Sequence, residues 1–124
     1  MKKLIIQLWQ TSAVHPELAT VPFLMATTGA AMNMAVEIHA IGASVELLIK
    51  NHHPTSQMIA SSGRSLHHYI EDALRSGVAI HPCSTALRLR GLDASDLIDG
   101  LGDVIGMVSM LDRATESNVT VLTY

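Results

Sequence analysis

Gly77-Val-Ala-Ile-His-Pro-Cys-Ser-Thr-Ala-Leu-Arg-Leu-Arg-Gly-Leu92 is the stretch whose reading decides the fold. Gly77 is a natural helix stop, and Val78-Ala79-Ile80 follows as an apolar run. The only cysteine, Cys83, comes directly after Pro82; Ser84 to Leu89 suits a short helix, and Gly91 is placed to end it. The thiol therefore stands where a buried strand gives way to a helix. In an open α/β sheet the carboxyl ends of the strands are where ligands and chemistry collect. A helix start also offers unpaired N–H groups and a partial positive charge, which favour thiolate over thiol. Arg88 and Arg90 add positive charge a turn or two downstream.

Outward from this stretch, the chain alternates between strand and helix. Lys3 to Trp9 is apolar at nearly every position, as a strand covered on both faces should be. Gln10 to Ala13 is the loop at its carboxyl end. A helix starts at Glu17 or Thr20 and runs to about Met32, with Pro22 in its first turn and a small-residue face of Ala26, Gly29, Ala30 and Ala31. Ala35 to Ile41 reads as a second strand with Glu37 and His39 on one face, and Ala43 to Lys50 as a short helix. Asn51 to Arg64 is the least regular part, a candidate mobile loop over the site. Ser65 caps a helix carrying Leu66, Ile70, Ala73 and Leu74 at helical spacing. Beyond the central stretch come a short turn at Ala94–Asp99, a short strand at Leu101–Ile105, a helix at Met107–Thr115 and a last strand at Val119–Tyr124. Five strands alternating with helices predict one domain over residues 1–124, a three-layer α/β/α sandwich with a five-stranded, mainly parallel sheet.

Composition narrows the class. The 124 residues are 48% hydrophobic, 15% charged and only 3% aromatic, so the core is aliphatic, with seven Met as gap-fillers. A net charge of −3 gives no reason to expect a nucleic-acid surface. No segment approaches the roughly 20 apolar residues that span a bilayer. The first apolar run is too short for a signal-peptide core, and one cysteine forms no internal disulfide, so a cytoplasmic, reducing setting is expected. Low charge with a positive mean hydropathy suggests that some apolar surface is covered by another subunit.

Cys83 is the candidate nucleophile; its plainer reading is a buried structural thiol, since free cysteine is among the most buried residue types. His81, two residues earlier, shares its face on a regular strand and is a candidate to stabilise the thiolate or take its proton, against the reading of a half-buried histidine bonded to backbone. His39, near the end of the neighbouring strand, has a similar standing. Gln10, Thr11 and Ser12 are candidate polar contacts in the same pocket, and Arg88 and Arg90 candidate anion contacts against ordinary surface charge. The pairs His52-His53 and His67-His68 lack the i, i+4 spacing of a chelating couple, so no metal is expected. There is no phosphate loop, no Gly-x-Gly-x-x-Gly and no Cys-x-x-Cys, so neither a nucleotide cofactor nor dithiol redox chemistry is expected.

Taken together, the first strand and its small-residue helix, Ala35-Val-Glu-Ile-His-Ala-Ile-Gly42, the Gly77–Cys83 run, Cys83 eight residues before Gly91, and the closing Val121-Leu-Thr-Tyr124 resemble the DsrE/DsrF-like family, including its TusD-related members. The resemblance covers essentially the whole chain. It implies the α/β/α sandwich with a five-stranded parallel sheet, and assembly as trimers or hexamers. It also implies sulfur carried as a cysteine persulfide in a relay, as a sulfurtransferase subunit with donor and acceptor proteins as partners. The family's acceptor cysteine falls on Cys83. The alternative is a non-catalytic oligomeric module of the same fold that binds a small ligand or partner near the strand ends.

Overall fold

The computed structural model describes residues 1–124. Its sheet is laid out from β1 (Lys3–Leu8), which pairs in parallel with β2 (Ala35–Ala40) on one side and β6 (Val119–Thr123) on the other. β5 (Ala79–Pro82) pairs in parallel with the far side of β2, giving the order β5-β2-β1-β6. In this register Leu4 stands beside Val36, and Ile6 beside Ile38 and Leu122. These residues lie on one apolar face of the sheet, as period-two alternation requires. The opposite face carries Lys3, Gln7, Glu37, His39 and His81 among its apolar residues.

The apolar face is covered by α1 (Pro16–Ala31) and by α3 (Leu66–Arg75), which packs against α1. Gly29 makes the close approach: a Cβ built there would lie 3.1 Å from Val36 and 3.2 Å from Leu4. Asn33, at φ 63°, then turns the chain back into β2. Because α1 begins at Pro16, Pro22 lies inside the helix rather than in its first turn, where it deprives the Leu18 carbonyl of its usual i+4 donor. α5 (Met107–Ala114) lies on the other face, with Met110 fully buried and Arg113 reaching Glu37. Helices on both faces of a parallel sheet make the three layers, as expected.

The fifth strand is reduced to one bridge. Residues 101–106 run beside β5, and only Ile105 pairs with it, opposite Cys83. Gly102 N–H donates to the Ile80 carbonyl, Ile105 N–H to the Pro82 carbonyl and Ser84 N–H to the Ile105 carbonyl. Pro82 faces this neighbour and has no N–H to give it, so a regular ladder stops there. The Asp103 carbonyl is taken instead by Nδ1 of His81, 2.8 Å away.

Three further expectations change. The short helix expected at Ala43–Lys50 is a 3₁₀ helix, and it spans Gly42–Leu48. Asn51–Arg64 is not a featureless loop: it holds α2 (His53–Ser56) and an antiparallel hairpin of β3 (Met58–Ile59) and β4 (Arg64–Ser65). Met58, Ile59 and Ser61 share a cavity wall with Val14, His15 and Leu18, so this segment flanks the β1–α1 loop rather than covering Cys83. Finally, Ala26, Gly29 and Met110 are spent inside the core. The apolar surface that stays exposed includes Leu18 and Leu24 on α1, Met32 at its C-terminal end, and Met107, Val108 and Leu111 on α5.

The fit at Gly29 yields a test. Gly29→Val forces its side chain into Val36 and Leu4, and the overpacking is expected to cost about 1–3 kcal/mol, read as a lowered urea midpoint.

Candidate functional site

Cys83 is the N-cap of α4 (Ser84–Leu89), at the carboxyl end of β5. Its N–H donates to the Ala40 carbonyl of β2, and its own carbonyl accepts from Leu87 N–H, which fixes the strand-to-helix corner. The side chain belongs to the main apolar cluster, and the residue is 1% exposed. Arg88 is exposed. Arg90 reaches the Ala86 carbonyl and stands 3.9 Å from the Glu46 carboxylate. The two arginines are therefore surface charges rather than part of a pocket around the thiol.

His81 is oriented away from a role as base to Cys83. Both of its ring nitrogens face acceptors: Nδ1 the Asp103 carbonyl at 2.8 Å, Nε2 the Glu37 carboxylate at 3.4 Å. Gly102 lies flat on the ring, for a Cβ there would fall 2.6 Å from its Cε1. His39 joins the same carboxylate through Nε2 at 3.4 Å, with Nδ1 facing the Gln7 side-chain amide at 3.4 Å. That arrangement suits neutral His39 with its proton on Nε2. The two histidine rings meet edge to face, 6.1 Å between centroids.

Glu37 is the centre of this cluster. Lys3 Nζ lies 2.8 Å from Oε2, and Arg113 donates to Oε1 at 2.7 Å. Burial by itself would raise the carboxyl pKa. The hydrogen bonds from Lys3, His39 and Arg113 outweigh it and hold the pKa at about 2. Burial pushes His39 down from its ordinary 6.5, against the opposing pull of Glu37. The sequence shows Glu37 and His39 sharing a face, but Lys3 and Arg113 come as partners only through the sheet register and the return of α5. A carboxylate set in an otherwise apolar strand was the available signal, since burial demands counter-charges.

Gln10, Thr11 and Ser12 do line a cavity, of about 440 Å³, but together with His15, Leu18 and Tyr124 and not with Cys83. β2 lies between β1 and β5, which sets the two places roughly 10 Å apart across the sheet. The histidine pairs do not act as pairs, and three of the four side chains face separate partners. His67 bonds Glu71, His68 faces Asp72 and Arg64, and His53 faces Gln57. No group of three His, Cys, Asp or Glu side chains is close enough to hold a metal ion. No helix is long and apolar enough to cross a membrane.

Comparison with known proteins bears on the chain as a whole. A sequence profile of the DsrE/DsrF-like family matches residues 2–124. No curated protein matches it significantly. Among solved structures, the ychN protein from E. coli is similar, with a TM-score of 0.79 at 18% identity over 100% of both chains. So is MTH1491 from Methanobacterium thermoautotrophicum, described as a protein of unknown function, with a TM-score of 0.70 at 16% identity over 100% of both. BT1422 from Bacteroides thetaiotaomicron, also described as of unknown function, gives 0.66 at 20% identity, over 99% of this chain and 95% of that one. At these identities the likeness speaks for the fold.

The Glu37 cluster makes stability depend on pH in a defined direction. Burial holds the His39 pKa below its ordinary 6.5 in the fold, so stability begins to fall as pH drops below about 6.5, where an unfolded histidine takes a proton. Glu37 contributes roughly 3 kcal/mol above its ordinary pKa of 4.5, and this is lost as pH falls towards about 2. Glu37→Gln leaves Lys3 and Arg113 without their carboxylate, and should remove about 3 kcal/mol at pH 7 and flatten the acid limb in urea titrations.

Proposed function

The chain belongs to the DsrE/DsrF-like family, and on that premise we propose that it is a sulfur-carrier subunit that takes a sulfane sulfur onto Cys83 as a persulfide. The observation that supports this most is the place of the only cysteine, at the carboxyl end of β5 and the start of α4. In the proposed step the Cys83 thiolate attacks the outer sulfur of a donor persulfide, R–S–SH. A new S–S bond forms at Cys83 as the donor's S–S bond breaks, and the electron pair leaves on the donor thiolate. An acceptor thiolate then attacks the same outer sulfur, and Cys83 leaves as thiolate, so the relay involves no net oxidation. With the thiol 1% exposed, loading requires the packing around Cys83, at the edge of β5, to open. His81, hydrogen-bonded through Nδ1 to the Asp103 carbonyl and with Nε2 3.4 Å from the Glu37 carboxylate, holds that edge rather than shuttling the proton.

The carrier works as a homo-oligomer, a trimer or hexamer, in a cytoplasm that keeps its one thiol reduced. The exposed apolar side chains of α1 and α5 supply surface for such contacts. A second reading has one observation in its favour: a buried thiol suits an oligomeric module that binds a ligand or partner without covalent chemistry.

Intact mass separates the two readings. Incubation with a persulfide donor should add about 32 Da per chain for one sulfur atom, and Cys83→Ser should abolish the adduct. No adduct from glutathione persulfide or thiosulfate, on folded or mildly destabilised protein, leaves the non-covalent module. For the assembly, light scattering at micromolar concentration should give a multiple of 13.3 kDa; a concentration-independent monomer mass removes the oligomer.

A further inference from the structure

Of the strands at the two sides of the sheet, only β6 is bare along its outer edge. Residues 101–106 lie against β5, whereas β6 pairs with β1 alone. The bonds at its two ends fix the direction of its backbone groups. Lys3 N–H donates to the Asn118 carbonyl, Tyr124 N–H donates to the Gln7 carbonyl, and the Tyr124 carbonyl accepts from Trp9 N–H. Asn118 and Tyr124 thus turn towards β1, and in a parallel ladder every second residue between them does the same. Val119, Val121 and Thr123 therefore point their N–H and C=O groups away from the sheet.

Sheets commonly blunt such an edge with a lysine, a proline, a bulge or a covering loop. β6 has none of these. Its register with β1 is unbroken, and Val-Thr-Val-Leu-Thr holds no charge, proline or glycine. No charged side chain occurs from Ser117 to Tyr124. Thr120, Val121 and Thr123 are exposed, so no other segment covers the strand. Val and Thr are residues that pleated, half-buried surfaces favour.

The geometry selects the occupant. Residues 101–106 make only one bridge, so the regular strand edge that a second copy can offer is its own β6. Contact between identical edges is isologous and two-fold, which makes the strands antiparallel. An axis at Val121 sets that residue against its own copy and Val119 against Thr123 of the partner subunit. Every outward N–H and C=O then finds a partner, with two hydrogen bonds in each opposed pair. Sliding the copies by two residues in either direction leaves some of these groups unpaired. The axis also sets like against like, which suits an uncharged β-branched residue. We propose that β6 is a docking edge for a second copy of this chain, joined antiparallel about a two-fold axis at Val121 into one continuous sheet. This contact does not depend on the chemistry at Cys83. Within the assembly proposed above, it supplies the two-fold contact that a hexamer contains and a trimer lacks.

Amide hydrogen exchange on the whole chain reads the edge directly. On a bare edge the Val119, Val121 and Thr123 amides exchange fast, while Thr120 and Leu122, bonded to β1, are protected. Pairing should bring the outward amides to the protection of the other two, and light scattering should give an even multiple of 13.3 kDa. Val121→Pro removes one outward N–H and no bond to β1, a change that edge strands tolerate. It should halve the mass and return the Val119 and Thr123 amides to fast exchange. If that variant fails to fold, the exchange pattern of the unaltered chain decides. Cys83→Ser should match the parent in mass and exchange, whatever the outcome of sulfur loading. Fast exchange at Val119, Val121 and Thr123 beside protected Thr120 and Leu122 would overturn the contact, even in a protein whose mass shows an oligomer. A monomer or trimer mass, or a folded Val121→Pro that keeps the parent's mass, would overturn it as well.

Discussion

The carboxylate of Glu37 is buried in the middle of a sheet, and much of the molecule is arranged to make that tolerable. A lone carboxylate in such surroundings is heavily penalised, so the fold brings it a lysine from β1, an arginine from α5 and a histidine each from β2 and β5. Three elements distant in sequence, β1, β5 and α5, are tied to one side chain of β2. The two faces of the sheet differ accordingly. Under α1 the packing is apolar and close enough to crowd a methyl group at position 29, whereas under α5 it is ionic and directional.

The consequences extend from Glu37 to the thiol. Glu37 fixes the ring of His81, the ring supports Gly102 and holds the Asp103 carbonyl, and these residues carry Ile105 to its bridge with Cys83. The corner at Cys83 is thus secured by contacts made some distance from it. A side chain that looks in sequence like an acid–base partner of the thiol is, in space, a strut for the segment beside it. Its Nδ1 is engaged by the Asp103 carbonyl, and its Nε2 faces the Glu37 carboxylate.

What the sequence made legible follows from how local each signal is. Lys3–Leu8, Ala35–Ala40 and Val119–Thr123 declare themselves as strands by apolar content, and Asn33 and Gly77 mark helix ends through positive φ. The corner at Cys83 was equally readable from Pro82 and the helix-forming run after it. The hairpin at Met58–Ser65 was not, because strands of two residues leave no periodic pattern. Leu101–Ile105 has strand-like composition but depends on a neighbour, and Pro82 on that neighbour withholds the donor a full strand needs. Burial of Cys83 matches the plainer of its two sequence readings, but its pairing with Ile105 was hidden, because that segment's position is set by long-range contacts. The grouping of Gln10 and Thr11 with Tyr124, rather than with Cys83, is a matter of strand order, on which adjacency in sequence is silent.

The two margins of the sheet meet other molecules differently. One margin, along β5, is already occupied by residues 101–106, so β5 itself offers no template for another strand. The opposite margin, along β6, has a ladder partner only in β1 and keeps a free row of backbone donors and acceptors. A sheet with one open margin accepts a single further strand array and then has no second margin from which to continue. Strand-to-strand joining of these chains is therefore self-terminating: it closes at a pair and does not propagate into a fibre.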